Sequence, residues 1–339
     1  MATKIGSRTV QLDTPISVLG YAAIGSKMES QGPLAQKFDL LNEDSTFGES
    51  SWEKAESRMQ TDVVHKALDK AGVSAQDCDY IFAGDLLNQC ISSTYGLRDL
   101  GVPFVGLYGA CSTMAESLGV CSIFLESGAA QKGIAVTSSH FCSAERQFRF
   151  PLEYGGQRTP TSQWTATAAG AAVLGKGSLP PYVRKVTIGR IQDLGIKDAN
   201  NMGAAMAPAA ADTIKTYFED TCTNADNYDL ILTGDLGKVG STLLYDLLEQ
   251  QGISLNSKHH DCGLLIYDLE QQDVHAGGSG CGCSASVLCA DILPKMRQGQ
   301  LKDVLFVATG ALMSTTSVQQ GESIPGIAHL VHLSTTMPS

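Results

Sequence analysis

No apolar run in this 339-residue chain approaches the ~20 residues that a membrane-spanning helix requires, so any link to a membrane must pass through a protein partner or a surface contact. Basic residues are also in short supply. Lys and Arg number 24 against 35 Asp and Glu, a formal net charge of -11 with a pI near 5.0, which excludes the dense basic surface that nucleic acid or anionic lipid would need. A basic, apolar, small-residue leader is missing at the N-terminus, and the ten cysteines, spread from Cys78 to Cys289, have no small-domain spacing. Free thiols in a reducing compartment are expected, with no disulfides. What is present is a 43% hydrophobic composition, enough for one large core or two core-sharing domains in a folded, soluble protein.

The chain repeats itself. DYIFAGDL (Asp79 to Leu86) and DLILTGDL (Asp229 to Leu236) share one pattern, each a buried strand ending in Gly-Asp-Leu. Helical segments precede both, Ser51 to Ala71 with Gly72 at its end and Ala205 to Thr221, and further helices follow both, near Asn88 to Leu100 and Val239 to Gln251. A third pair matches as well: Cys111 to Glu126 with the strand Gly133 to Ser139, against Ser284 to Arg297 with the strand Asp303 to Thr309. Gly177 to Pro181 punctuates the junction, so the halves are expected at 1–178 and 179–339. Alternating strand and helix of this kind builds parallel sheets covered on both faces, giving stacked α/β halves.

Within the first half, the strand pattern Val102 to Tyr108 runs into Gly109-Ala110-Cys111 and a helix follows at once. Cys111 therefore sits on a strand-to-helix turn, where free N–H groups and the helix dipole favour thiolate or a bound anion. The segment His140 to Thr161, with three arginines and four aromatic side chains, fits neither repeat and is expected to lie over that turn as a lid. Lys258-His259-His260-Asp261 is a second polar cluster, placed before a strand read over Gly263 to Asp268; adjacent histidines on an extended segment face opposite ways, and no metal site is expected there. Cys281-Gly282-Cys283 lacks the spacing of a zinc or redox pair and fits a tight helix start. Gly277-Gly278-Ser279-Gly280 is not a dinucleotide fingerprint, and Met202 to Ala211 reads as close-packed backbone. No cofactor is expected.

Strand, Gly-Ala-Cys elbow, helix and duplication together resemble the thiolase fold of thiolases and ketoacyl synthase III enzymes, which implies two duplicated α/β halves in a layered αβαβα arrangement and, by analogy, a homodimer through edge strands of the first half. The enzymes' catalytic partners are not where the resemblance would put them. Gly234-Asp235-Leu236-Gly237 stands in place of a His-Gln-Ala-Asn-like motif, and Gly280-Cys281-Gly282-Cys283-Ser284 in place of a Gly-Asn-Thr-Ser-like one. Without a base and donors over the thioester oxygen, each of which contributes roughly 10²- to 10⁴-fold, condensing chemistry is not expected.

A closer resemblance spans nearly the whole chain. AGDLLNQ (Ala83 to Gln89), GACSTMAES (Gly109 to Ser117), AERQFRFPLEYGGQ (Ala144 to Gln157), MGAAMAPAAADTIK (Met202 to Lys215), KHHDCGLLIYD (Lys258 to Asp268) and AGGSGCGCSA (Ala276 to Ala285) are similar to the stage V sporulation protein AD family, thiolase-like members of the spore SpoVA apparatus. That resemblance implies binding of dipicolinic acid, pyridine-2,6-dicarboxylate, free or as its calcium chelate, for uptake into the developing spore and release at germination. It also implies other SpoVA proteins as partners and a peripheral position at the spore inner membrane. A flat dianion needs donors at two ends with an apolar slot between. The expected set is Cys111 and Ser112 at the elbow, Arg146 or Arg149 with Phe148 or Phe150 from the lid, and His140, Lys258 and His259 from neighbouring loops. The alternatives are an acyl-transferring enzyme using Cys111 and a structural subunit with a vestigial pocket.

Overall fold

Helix Trp52–Ala71 starts and stops where its sequence is punctuated: Ser51 Oγ accepts from the Lys54 amide, and Gly72 closes the helix at φ 67°. Its counterpart Met202–Thr221 is capped by Asn201. The computed structural model describes residues 2–149 and 158–338, with only the backbone of Arg149. The eight central residues of the expected lid lie outside the described residues; its first part is the helix Phe141–Arg149.

Twelve of the described strands form one sheet, and Trp164–Thr165 pairs with Gly278–Ser279 in a separate two-stranded one. The main path of the larger sheet runs His259–Asp261, Leu230–Thr233, Asp303–Ala311, Gly326–Ser334, Tyr182–Thr187, Thr9–Gly25, Ala168–Lys176, Lys132–Ser139, Tyr80–Gly84 and Phe104–Gly106. The order is a mirror image about its centre. At each end three parallel strands meet two antiparallel ones, and the two repeated Gly-Asp-Leu strands occupy equivalent second places. One element joins the halves: Thr9–Gly25 pairs with Tyr182–Thr187 through its first residues and with Ala168–Lys176 through its last.

Parallel connections require crossover helices, and these divide into inner and outer layers. Helix Thr113–Ser127 touches Tyr80–Gly84 and Lys132–Ser139 of one half and Asp303–Ala311 and Gly326–Ser334 of the other. Helix Cys281–Val287, buried along its whole length, packs beside it. Trp52–Ala71 covers one outer face, and Met202–Thr221 with Gly237–Glu249 covers the other, giving the αβαβα order. The core therefore centres on the inner helices, where Leu118, Leu125 and Leu288 meet Phe82, Val186 and Val331. Each such side chain contributes on the order of 1.5–3 kcal/mol by leaving water.

Three elements differ from expectation. The strand read over Gly263 to Asp268 is a helical turn, Cys262–Leu265, and the strand lies earlier at His259–Asp261. A short apolar run does not distinguish a buried turn from a strand. The edge strand at Val102 to Tyr108 shortens to Phe104–Gly106, because only its middle pairs with Tyr80–Gly84. Helix Ser284 to Arg297 begins earlier, at Cys281, and passes through a π-helical turn at Leu288–Ile292 that holds the buried Asp291 near Lys37 and Lys295.

Candidate functional site

The elbow is built from short hydrogen bonds. Ala110 takes φ 51°, a left-handed conformation that costs energy for a residue with a Cβ, and the turn Ala110–Ser112 then leads into helix Thr113–Ser127. Ser112 Oγ donates to the Gly109 carbonyl at 2.6 Å, and the Ser112 N–H donates to the same oxygen at 3.0 Å. The Thr113 N–H goes to the Ala110 carbonyl. Two of the amides expected to seat a carboxylate are thus spent within the turn. The second half meets the elbow through Gly310: a Cβ there would lie 2.3 Å from Gly109 O and 3.2 Å from Cys111 N.

The thiol has a carboxylate near it in place of an imidazole. Cys111 Sγ is 4.0 Å from Ser279 Oγ, which donates to Asp235 Oδ2 at 3.0 Å. Asp235 also accepts from the Gly280 N–H at 2.9 Å and from Thr309 Oγ1 at 2.8 Å. Burial, then the charge of Asp235, raises the Cys111 pKa well above that of an ordinary thiol. Burial raises the Asp235 pKa too, against the pull of those hydrogen bonds. A protonated thiol is a poor nucleophile.

Neither histidine of the expected set offers a spare ring nitrogen. His140 Nε2 bonds the Ser45 carbonyl at 2.8 Å while Nδ1 accepts from the Cys142 amide at 3.1 Å. His259 is held between Thr233 Oγ1 at 2.8 Å and the Tyr245 hydroxyl at 3.2 Å, and burial pushes it down to about 4. Both are neutral at pH 7, since burial disfavours the charged form of each.

Beside Cys111 lies a slot with about 50 Å³ of free room. Its walls are Leu86, Tyr108, Phe148, Met202, Met206 and Met313, with small alanines between them and Thr165 and Ser279 as further polar groups. No charged residue lines it among the described residues. The slot sits where both halves and helix Phe141–Arg149 converge. Ala144 and Phe148 face it from that helix, Met202 and Met206 from Met202–Thr221, and Ala311 from the end of Asp303–Ala311.

Of the expected residues, Cys111 and Phe148 reach the slot. Ser112 is turned into the elbow, and Arg146 pairs with Glu53 and lies 5.3 Å over the Trp52 ring, on an outer groove. Arg149 and Phe150 fall outside what is described of side chains. Lys258 and His259 are at the far edge strand, where the Lys258 carbonyl accepts from Ile231 N. Ser279, Thr165, Tyr108 and the methionines of the slot, and Asp235 behind Ser279, are not among the residues the sequence points to. The available signal was the repeat: Asp85 of the first Gly-Asp-Leu accepts from the Leu87 and Ser93 amides much as Asp235 accepts from Gly280, so both mark strand ends that organise a helix start.

The thiols of Cys281 and Cys289 donate to the Ser138 and Ala171 carbonyls. Among the described residues no three His, Cys, Asp or Glu side chains gather in a way that would hold a metal ion, and no helix is long and apolar enough to cross a membrane.

Solved structures share this architecture. 3-Oxoacyl-[acyl-carrier-protein] synthase III from Aquifex aeolicus superposes with a TM-score of 0.59 at 14% identity, over 95% of this chain and 99% of that one. Cerulenin-bound OleA from Xanthomonas campestris gives 0.61 at 12% identity, over 95% and 99%. At such identities the likeness shows the thiolase-like fold alone. Stage V sporulation protein AD from Bacillus subtilis (strain 168) is 46% identical over 324 residues, covering 96% of each chain. The model of the stage V sporulation protein AD family matches residues 6–334, and the chain belongs to that family.

Proposed function

We propose that this protein binds dipicolinic acid without catalysis, as a component of the SpoVA channel that carries it into developing spores and out again at germination. The observation that carries this is the setting of Cys111: the thiol is buried with the Asp235 carboxylate near it in place of an imidazole, and burial first and that charge second hold it protonated. What is left is a receptacle. Its faces, Phe148 and Tyr108 with three methionines, suit a flat ring. The free room is smaller than the ligand, so entry requires Met202, Met206 or Met313 to change rotamer, which unbranched thioethers do readily. In this role the protein acts as a homodimer held at the inner spore membrane by other SpoVA proteins.

Isothermal titration of the protein with dipicolinate and with picolinate tests the proposal. Dipicolinate-selective heat is expected; silence with both would leave a structural subunit with a vestigial pocket. Transfer of a radiolabelled acetyl or malonyl group from a thioester to Cys111 would overturn the non-catalytic role.

A further inference from the structure

Helix Phe141–Arg149 presents two faces. Ala144 and Phe148, one turn apart, line the slot beside Leu86. Ser143, Arg146 and Gln147 lie on another side, along an outer groove that they share with Glu53 and with Leu87, Asn88 and Gln89. Every hydrogen bond and ion pair described for those three side chains ends in the first half. Ser143 donates to Glu56 at 2.9 Å, Arg146 pairs with Glu53, and Gln147 grips the loop that carries Leu86.

Gln147 uses both ends of its amide. Nε2 donates to the Leu86 carbonyl at 3.1 Å, and Oε1 accepts from the Asn88 amide at 2.9 Å. Between these two residues the Leu87 N–H is taken by Asp85 Oδ1 at 2.9 Å. The loop then passes through two consecutive left-handed residues, Gln89 at φ 57° and Cys90 at φ 50°. Such conformations are costly for residues with a Cβ and persist where their surroundings over-determine them. Asp85 supplies that hold from the core, through the Leu87 and Ser93 amides, and Gln147 supplies it from outside. Leu86 and Phe148 are thus parts of one wall. The facing wall, Met202, Met206 and Met313, belongs to the second half, and Met202 and Met313 share an apolar cluster with Phe148.

We infer that Gln147 is a positioning residue for the slot: it locks the Leu86 loop to the helix that carries Phe148, so this wall is set before a ligand arrives and only the methionine wall gives way. Its effect on dipicolinate rests on the proposed ligand; the wall itself does not. Gln147→Met keeps the length and removes both bonds, and thermal melting checks that each variant folds. Hydrogen exchange without ligand, followed by mass spectrometry, is expected to show residues 86–93 and 141–148 exchanging faster together, by about tenfold, as the loss of two ordinary hydrogen bonds gives. Strand Lys132–Ser139 should keep its protection. Gln147→Glu gives a readout that packing alone would not move. Its ionised carboxylate keeps an acceptor for Asn88 but has no proton for Leu86, whereas the protonated form has both. Its exchange, as a ratio to wild type at the same pH, is expected to fall toward one as pH is lowered from 8 to 5. Dipicolinate should leave Gln147→Met about tenfold faster than wild type. Faster exchange in the loop alone overturns the coupling, as does a Gln147→Glu ratio that does not move with pH. Unchanged dipicolinate dissociation overturns the positioning role even if exchange behaves as expected. If wild type binds no dipicolinate, the proposed ligand is wrong and the exchange result alone decides the wall.

Discussion

At the scale of single residues, burial and then the charge of Asp235 set what Cys111 is able to do. A negative charge behind a thiol disfavours thiolate, so removing it lowers the thiol pKa. Asp235→Asn keeps an oxygen to accept from Gly280 N–H or Ser279 and should let Cys111 react with iodoacetamide at a lower pH than wild type does. The measurement is the alkylation rate against pH, followed at Cys111 by mass spectrometry; an unshifted profile would show that burial alone governs the thiol. The same substitution removes a charge that opposes a dianion and is expected to leave dipicolinate affinity unchanged or improved.

Glu56 is a second buried acid with a measurable consequence. It accepts from Ser138 and Ser143 at 2.9 Å each, and Gln60 links Ser138 to Ser93, which donates to Asp85. Burial, and then the Asp85 charge, pushes Glu56 up to about 8 from an ordinary 4.5. The folded protein therefore holds a proton that the unfolded chain releases between these values. Stability contributed by this group is fully present below pH 4.5 and declines as pH rises toward 8. Glu56→Gln should flatten that decline, read as urea midpoints at pH 5 and pH 8.5; an identical slope in both proteins would discount Glu56. Because Ser143 belongs to helix Phe141–Arg149 and donates to Glu56, the Glu56 carboxyl also helps seat the helix that carries Phe148.

Among elements, the inner helix Cys281–Val287 depends on glycine for close approach. A Cβ at Gly282 would lie 2.1 Å from the Ala168 carbonyl and 2.7 Å from the Ser139 amide. Gly282→Ala is expected to cost about 2–3 kcal/mol by overpacking, measured by urea unfolding. Gly128 is the contrasting case: nothing lies within 4 Å, yet φ is 81°, so Gly128→Ala should cost only about 1–2 kcal/mol of backbone strain. A Gly282→Ala protein as stable as Gly128→Ala would refute the close packing.

The repeat made most of these elements legible, because buried strands and capped helices carry local signals at Ser51, Gly72, Gly128 and Gly299. The slot was less legible. Its elbow and Phe148 follow from local pattern, whereas Ser279 and Met313 arrive from segments far apart in the chain and look individually unremarkable. Arg146 misled for the same reason, since a helix position beside aromatics does not show that Glu53, on another helix, will claim its charge.

For the whole molecule, the sheet ends differently on its two sides. The edge strand His259–Asp261 has His259 edge-on against the Tyr245 ring, an exposed His260 and a buried Asp261, a polar margin that discourages further pairing. The opposite edge, Phe104–Gly106, has no charged side chain and is flanked by Phe104 and Tyr108, 41% and 43% exposed. An open apolar edge of this kind is a template for another strand, and a second copy of the same chain brings a matching one. Tyr108 also forms part of the slot wall, so a partner at this edge would brace the slot from outside. Light scattering on the eluting protein should therefore give about twice 35.8 kDa. Phe104→Lys, which charges the edge without entering the core, should shift the mass toward 35.8 kDa and leave the melting profile of each half intact. Wild type eluting at 35.8 kDa at tens of micromolar, or a Phe104→Lys protein that stays paired, would move the contact away from this edge.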